Sequence, residues 1–342
     1  MSSYWSARLA WADHLSHSAD IADRQRAVAL APAWASLYER LTDRRSELGQ
    51  SPLAELRSAA MLEPENPASL ERLAQYAEAA GDDKGAERAL LASAERSRLF
   101  TPRYLLAQFY FRHGNGPEFR RWARAALEIA PGDVLPLLEL CWHSGQNAAA
   151  LLPARDTIQR QWLTFLVRQR EWDAAADQVQ RTTDRTALLE YIDAAIDAGE
   201  PPGAADAWNA LCRRGEIACE PVVAGTIANA GFAWRPIGHG FDWQRDEVSG
   251  VDISFGSEGL RLMFDGSQPE LCTLLRQYFP VESGARYRAS SRGAPPGLSW
   301  VVENVGVHGD LARIRLVYRR LAGAPRFEGV ATLSDLRLER VP

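Results

Sequence analysis

The chain has 342 residues, 46% hydrophobic, 24% charged and 9% aromatic, a balance that excludes disordered, collagen-like and membrane-embedded proteins. Its formal charge is −5, so no global basic field draws it onto nucleic acid or anionic lipid, and no nucleic-acid partner is expected. No apolar run reaches the ~18 residues a spanning helix needs, so no membrane-spanning segment is expected.

Residues 1–220 contain 43 alanines and 10 glycines, whereas residues 221–342 contain 11 alanines and 15 glycines. Alanine favours helix and glycine favours turns, so the inversion predicts a helical domain over 1–220 and a turn-rich domain over 221–342. The N-terminus, MSSYWSARLAWADHLSH, has no basic stretch leading into an apolar segment, and no leader is expected in it.

The helical part repeats. Pro32, Pro64 and Pro131 each end a helix-like run and each follow an alanine by five residues, namely Ala27, Ala59 and Ala126. The intervals between the prolines are 32 and 67 residues, the second close to two periods of a helix pair of about 34 residues. Between Pro64 and Pro131 a further unit fits without its closing proline, with Gly81 at the turn. The clearest unit is 103–131, where Leu106, Ala107 and Tyr110 share one helix face, Gly114 turns the chain, and Phe119, Ala123 and Ala126 share the next. This resembles a tetratricopeptide repeat, which implies a solenoid with a groove for a protein partner. Arg120, Arg121, Arg168 and Arg170 are groove candidates because guanidinium forks suit peptide carboxylates, although such residues more commonly form a solvated helix face. Helix pairs are predicted to continue to about Arg214.

After about Gly231 the pattern alternates: Leu260, Leu262 and Phe264 share a face, and ARYRASSRG, LSWVVEN, LARIRLVYRR and LSDLRLERV are short runs broken by Gly, Pro or Ser. These predict an antiparallel β-sandwich. QPELCTLLRQYFPV, whose leucines suit either state, is read as mostly strand because it lies between strands and ends in proline.

The order NAGFAW, GHGFDW, EGLRLMFDGSQPE, YFPV, GARYRAS, GLSWVV and LSDLRLERV resembles jelly-roll domains of the carbohydrate-binding-module type. Together with the helices it resembles a bacterial, acidobacterial-type family of tetratricopeptide-repeat proteins bearing such a domain. That likeness implies a cell-envelope, periplasmic or extracellular placement and a polysaccharide ligand. The stretch between Val301 and Leu311 is short for such a domain and predicts a sandwich lacking one or two strands.

A sugar presents an apolar CH face and a rim of hydroxyls, so its site needs an aromatic platform beside polar groups. Asp242, Trp243 and Arg245 offer these in one turn, with Gln268, Glu270 and Trp300 as further candidates. The same residues admit a packing reading, since tryptophan is highly buried on average and Asp commonly fixes turns. His239 stands three residues from Asp242, yet no nucleophile elbow, HExxH or phosphate loop accompanies it. Four cysteines lack metal-ligand or redox spacing, leaving their pairing and the compartment open, and no cofactor or metal is expected. These observations describe a non-enzymatic adaptor holding a protein in the helices and a polysaccharide on the sandwich. A structural or self-associating scaffold without a sugar site and a glycan-active enzyme are the alternatives.

Overall fold

The computed structural model describes residues 2–145, 148–306 and 308–341, which form helices followed by antiparallel strands. The chain divides into two compact units, 1–158 and 159–342. The change from helix to strand falls between Arg214 and Gln244. The division into units lies much earlier, so the last four helices belong to the same unit as the sandwich.

The first unit contains α1 (Ser2–Ser16), α2 (Ile21–Leu30), α3 (Ala35–Glu47), α4 (Leu53–Leu62), α5 (Pro67–Ala79), α6 (Asp83–Arg96), α7 (Phe100–Arg112), α8 (Gly116–Ile129) and α9 (Leu135–His143), followed by a 3-10 turn at Ala148–Leu151. From α3 onward, the first helices of successive pairs begin 32, 33 and 35 residues apart, a tetratricopeptide-like period. Ala27, Ala59 and Ala126 are completely buried, as their equivalence predicts. The unit without a proline is explained by its helix end. Ser97 N–H bonds to the Ser93 carbonyl just as Glu63 N–H bonds to Ala59, so Ser93 occupies the alanine position. It is likewise fully buried, and its hydroxyl donates to Glu71 Oε1 at 3.0 Å.

Local chemistry sets the helix starts. Asp20, Asn66, Asp82 and Asn115 each accept a backbone N–H of the first turn of α2, α5, α6 and α8, satisfying donors that the helix itself leaves unpaired. Ion pairs tie successive first helices into a continuous layer: Asp13–Arg40 at 2.8 Å, Asp43–Arg72 at 2.6 Å and Glu78–Arg112 at 2.7 Å.

The second unit holds most of α10 (Asp156–Gln169), then α11 (Trp172–Val179), α12 (Arg185–Ala198) and α13 (Pro201–Arg214). Its strands are β1 (Gln244–Arg245), β2 (Val251–Gly256), β3 (Gly259–Asp265), β4 (Leu271–Pro280), β5 (Arg286–Arg292), β6 (Leu298–Asn304), β7 (Leu311–Arg319) and β8 (Glu328–Val341). They form two antiparallel sheets ordered β1-β4-β7-β6 and β2-β3-β8-β5. The ambiguous leucine-rich segment is strand β4, as read from sequence. The expectation of missing strands is corrected: eight strands are present among the described residues, because the short stretch after Val301 is the hairpin turn joining β6 to β7. Only β1 is reduced, to two residues.

Between the sheets lie Leu260, Leu262 and Phe264 of β3, Leu275 and Phe279 of β4, and Ile314, Leu316 and Tyr318 of β7. The alternation of these strands places every second side chain inward. Residues 215–243 run as an irregular strap against both the helices and the sandwich core. Trp208 Nε1 donates to the Glu220 carbonyl at 3.0 Å, Asn209 and Val222 exchange hydrogen bonds, and a disulfide joins Cys212 to Cys219.

Candidate functional site

The strap decides the fate of the aromatic turn. Residues 229–232 fold beneath the sheets, with Asn229 and Phe232 in the left-handed region at φ 49° and 55°. Asn229 holds this bend by accepting from Ala233 N–H at 2.8 Å and donating to the Trp234 carbonyl at 2.9 Å. Phe232 thereby enters the core beside Trp243, ring centroids 5.5 Å apart.

Trp243 is 0% exposed and its indole N–H donates to the Asn229 carbonyl at 3.2 Å. It cannot act as a sugar platform; it closes the core. Asp242 is buried as well, accepting from Ile237 N–H and Trp243 N–H, both at 2.8 Å. Burial pushes its carboxyl up, against the two N–H groups, which pull it down. The carboxylate therefore organises backbone and offers nothing to a ligand. Gln268 is also withdrawn: fully buried, it donates to the Phe327 carbonyl at 2.7 Å and pins the turn after β3.

The remaining candidates do not converge. Arg245 on edge strand β1 donates to the Ile253 carbonyl of β2 at 3.3 Å, bridging the two sheets. It borders a hollow of about 580 Å³ that also exposes Asp246, Glu247 and Asp252. Glu270 is exposed and pairs with Arg320 at 3.1 Å. The His239 ring turns to another carboxylate: its Nδ1 lies 2.7 Å from Asp193 Oδ2 on α12, and its link to Asp242 is through the backbone, Asp242 N–H donating to the His239 carbonyl at 3.1 Å. Of the groove arginines, Arg121 lies on α8, pairs with Glu118 on the same helix and stacks over Trp122. It thus stands on a second helix, outside the layer of first helices. Arg120 is on the same helix, while Arg168 ends α10 and Arg170 turns the chain toward α11 at φ 59°.

Trp300 lines a second open groove. Sheet order leaves β5 and β6 as the last strands of their sheets on one side of the sandwich, and they face each other there. Among the described residues no further strand covers the gap. Inward-facing Tyr287 of β5 and Trp300 and Val302 of β6 remain half-buried, and the gap between them opens to about 590 Å³. Trp300 is held from behind by the Trp243 ring at 5.6 Å and from the side by its N–H donating to Ser291 Oγ at 2.8 Å. Arg286, Arg288 and Asn304 stand at the rim. Asn304 Nδ2 donates to the Ala285 carbonyl at 3.2 Å.

The sequence reading missed Tyr287, Arg286 and Arg288. Their signal was the alternation Arg286-Tyr287-Arg288, which places an aromatic inward between two outward guanidinia. That these residues reach Trp300 depends on sheet order, which no local pattern encodes.

A second exposed surface lies in the first unit. Trp5 and Leu9 of α1 and Trp34 before α3 are 54%, 43% and 38% exposed and border an apolar hollow of about 540 Å³. Arg8 crosses it, its guanidinium 5.1 Å from the Trp5 ring and its Nε donating to the Leu30 carbonyl.

Two other sets of side chains bear on chemistry. Among the described residues no group of three His, Cys, Asp or Glu side chains is placed to hold a metal ion. Burial pushes the Cys141 thiol up to about 12 and raises that of Cys272, so neither supplies a ready thiolate at neutral pH.

No protein-family model matches the chain, and no curated protein matches it. Among solved structures, Pseudomonas aeruginosa PilF matches 64% of this chain and 92% of its own length at 13% identity and TM-score 0.31. YrrB, described as a tetratricopeptide protein with an unusual peptide-binding site, matches 58% of this chain and 95% of its own at 13% identity and TM-score 0.28.

Proposed function

We propose that the protein is a non-enzymatic binding scaffold whose helical pairs hold a protein partner and whose sandwich binds a polysaccharide at the β5–β6 groove. The observation that carries the sugar reading is the pair of half-buried rings, Trp300 and Tyr287, in an open gap rimmed by Asn304 and two arginines. Flat rings take the CH face of a sugar while amide and guanidinium groups take its hydroxyls. The exposed Trp5, Leu9 and Trp34 support the protein partner, because clustered apolar surface of this kind marks interaction sites. The Cys212–Cys219 disulfide supports an envelope or extracellular placement, since such bonds persist in oxidising compartments.

The test is a glycan array probed with the whole chain and with Trp300→Ala. Retention of the wild type on at least one glycan, with loss in the variant, is the expected result. A wild-type chain retained on none would favour a purely structural sandwich, a reading also supported by the strap, which sets Phe241 against Trp208 of α13 and Trp243 in the sandwich core.

A further inference from the structure

We infer that the polysaccharide taken by the β5–β6 groove is anionic, a step that rests on the sugar reading above and specifies its ligand class. The arginines of this edge are neutralised unequally. Asp335 takes both Arg292 and Arg337, at 3.1 and 3.2 Å, and Glu282 takes Arg340 at 2.6 Å. Arg286 and Arg288, the two that rim the groove, have no carboxylate within ion-pair distance among the described residues. Glu339 sits across the strand from Arg288 in register, yet the two side chains do not meet.

The lining strengthens the point. Among the described lining residues, Trp300, Tyr287, Ala289, Val302, Asn304 and Val341 contribute no acidic side chain, so Glu339 across the strand is the carboxylate nearest in register to these arginines. This contrasts with the hollow on the opposite edge, where Asp246, Glu247 and Asp252 surround Arg245. A guanidinium fork matches a carboxylate or sulfate with two parallel hydrogen bonds. A chain of uronate or sulfated sugars would lay its rings on Trp300 and Tyr287 while its acidic groups meet Arg286 and Arg288. Charged side chains on edge strands also block unwanted strand pairing. That role alone would confer no preference between charged and neutral sugars, and this difference is what the experiment reads.

The whole chain is titrated with polygalacturonate and alginate, and with methyl-esterified polygalacturonate and dextran as neutral counterparts. The expected result is binding of an acidic polymer that weakens as salt rises, with the neutral polymers at least about tenfold weaker. Arg286→Gln/Arg288→Gln should remove that preference, and Arg286→Lys/Arg288→Lys should restore part of it, which a misfolded variant would not do. Equal affinity for esterified and free polygalacturonate, or an unchanged preference in the double Gln variant, overturns the anionic assignment and leaves the sugar reading standing. Binding of dextran alone does the same. Retention of no polymer here and no glycan on the array overturns both.

Discussion

Asp193 of α12 grips Gly240 of the strap: its Oδ1 accepts the Gly240 N–H at 2.7 Å while its other oxygen meets His239. The approach is so close that a β-carbon on Gly240 would lie 2.8 Å from Ile192 Cγ2 and 2.9 Å from the Trp208 ring. Gly240 is also in the left-handed region, at φ +59°, which costs any residue with a β-carbon. Gly240→Ala should therefore lower stability by ~1–3 kcal/mol through overpacking, with ~1 kcal/mol or more of backbone strain in addition. Asp193→Ala, which removes the bonds without adding volume, should cost less. Thermal unfolding of both variants checks the order, and an unperturbed Gly240→Ala midpoint would mean the strap does not dock here.

The repeat phase makes a second prediction. Ser93 and Ala126 occupy the same fully buried place in their pairs, beside the neighbouring helix. Ser93→Ala should cost the hydroxyl's bond to Glu71 and its longer contact with the Pro67 carbonyl, about 0.5–1.5 kcal/mol. Ala126→Leu and Ser93→Leu should each cost ~1–3 kcal/mol because the packed interface has no room for a branched chain. Denaturant midpoints of the three variants check this, and a tolerated leucine at either position would show that the position was misassigned.

That pair also shows what was legible in the chain. Alanine at 27, 59 and 126 repeats visibly because close helix packing demands a small side chain, and the same demand met by serine at 93 breaks the pattern without breaking the fold. The sandwich was legible from its period-two alternation, which fixes which side of each strand is apolar. The site was not. Whether Trp243 or Trp300 is covered depends on Asn229 and Phe232 folding under the sheets from more than ten residues away, and on which strands end up at an edge. Trp243 stands among polar residues and Trp300 in an apolar run, so the sequence points the wrong way and the tertiary arrangement decides which is covered. The disulfide escaped for a related reason: Cys212 and Cys219 meet because α13 ends and the strap turns back, and their spacing alone carries no signature.

A third prediction concerns acid. Arg112 binds Glu78 through both oxygens, at 2.8 and 2.7 Å, linking α7 to α5. The Arg112 bonds hold the Glu78 carboxyl below its ordinary value, outweighing the burial that raises it. A depressed carboxylate contributes stability that is present above its unfolded pKa, about 4.3, and is lost as pH falls through the folded value. Because Arg112 is 50% exposed, solvent screening keeps the gain to about 1 kcal/mol or less. Glu78→Gln should thus be slightly less stable than the wild type at pH 7, with the two curves converging below about pH 4. Urea unfolding across that range measures the gap, and a gap independent of pH would show that the pair is not linked to protonation.

The two central tryptophans give the last test, because they touch each other yet should answer differently to the same change. Trp243 is wholly enclosed, in tilted contact with Phe232 and Trp300, with its N–H satisfied by Asn229. Trp243→Ala should leave a large cavity and an unpaired carbonyl, costing ~3–5 kcal/mol. Trp300 packs against the tilted Trp243 ring and nearly parallel to Phe232, and it also lines the open groove, so water can replace part of what Trp300→Ala removes. Its loss should cost ~1–3 kcal/mol, the scale of apolar area withdrawn from a partly exposed site. Unfolding midpoints and the near-ultraviolet dichroism of the two variants provide the measurement. Equal destabilisation would mean that the β5–β6 gap is closed in solution, and the groove would then have no exposed platform for a ligand to lie on.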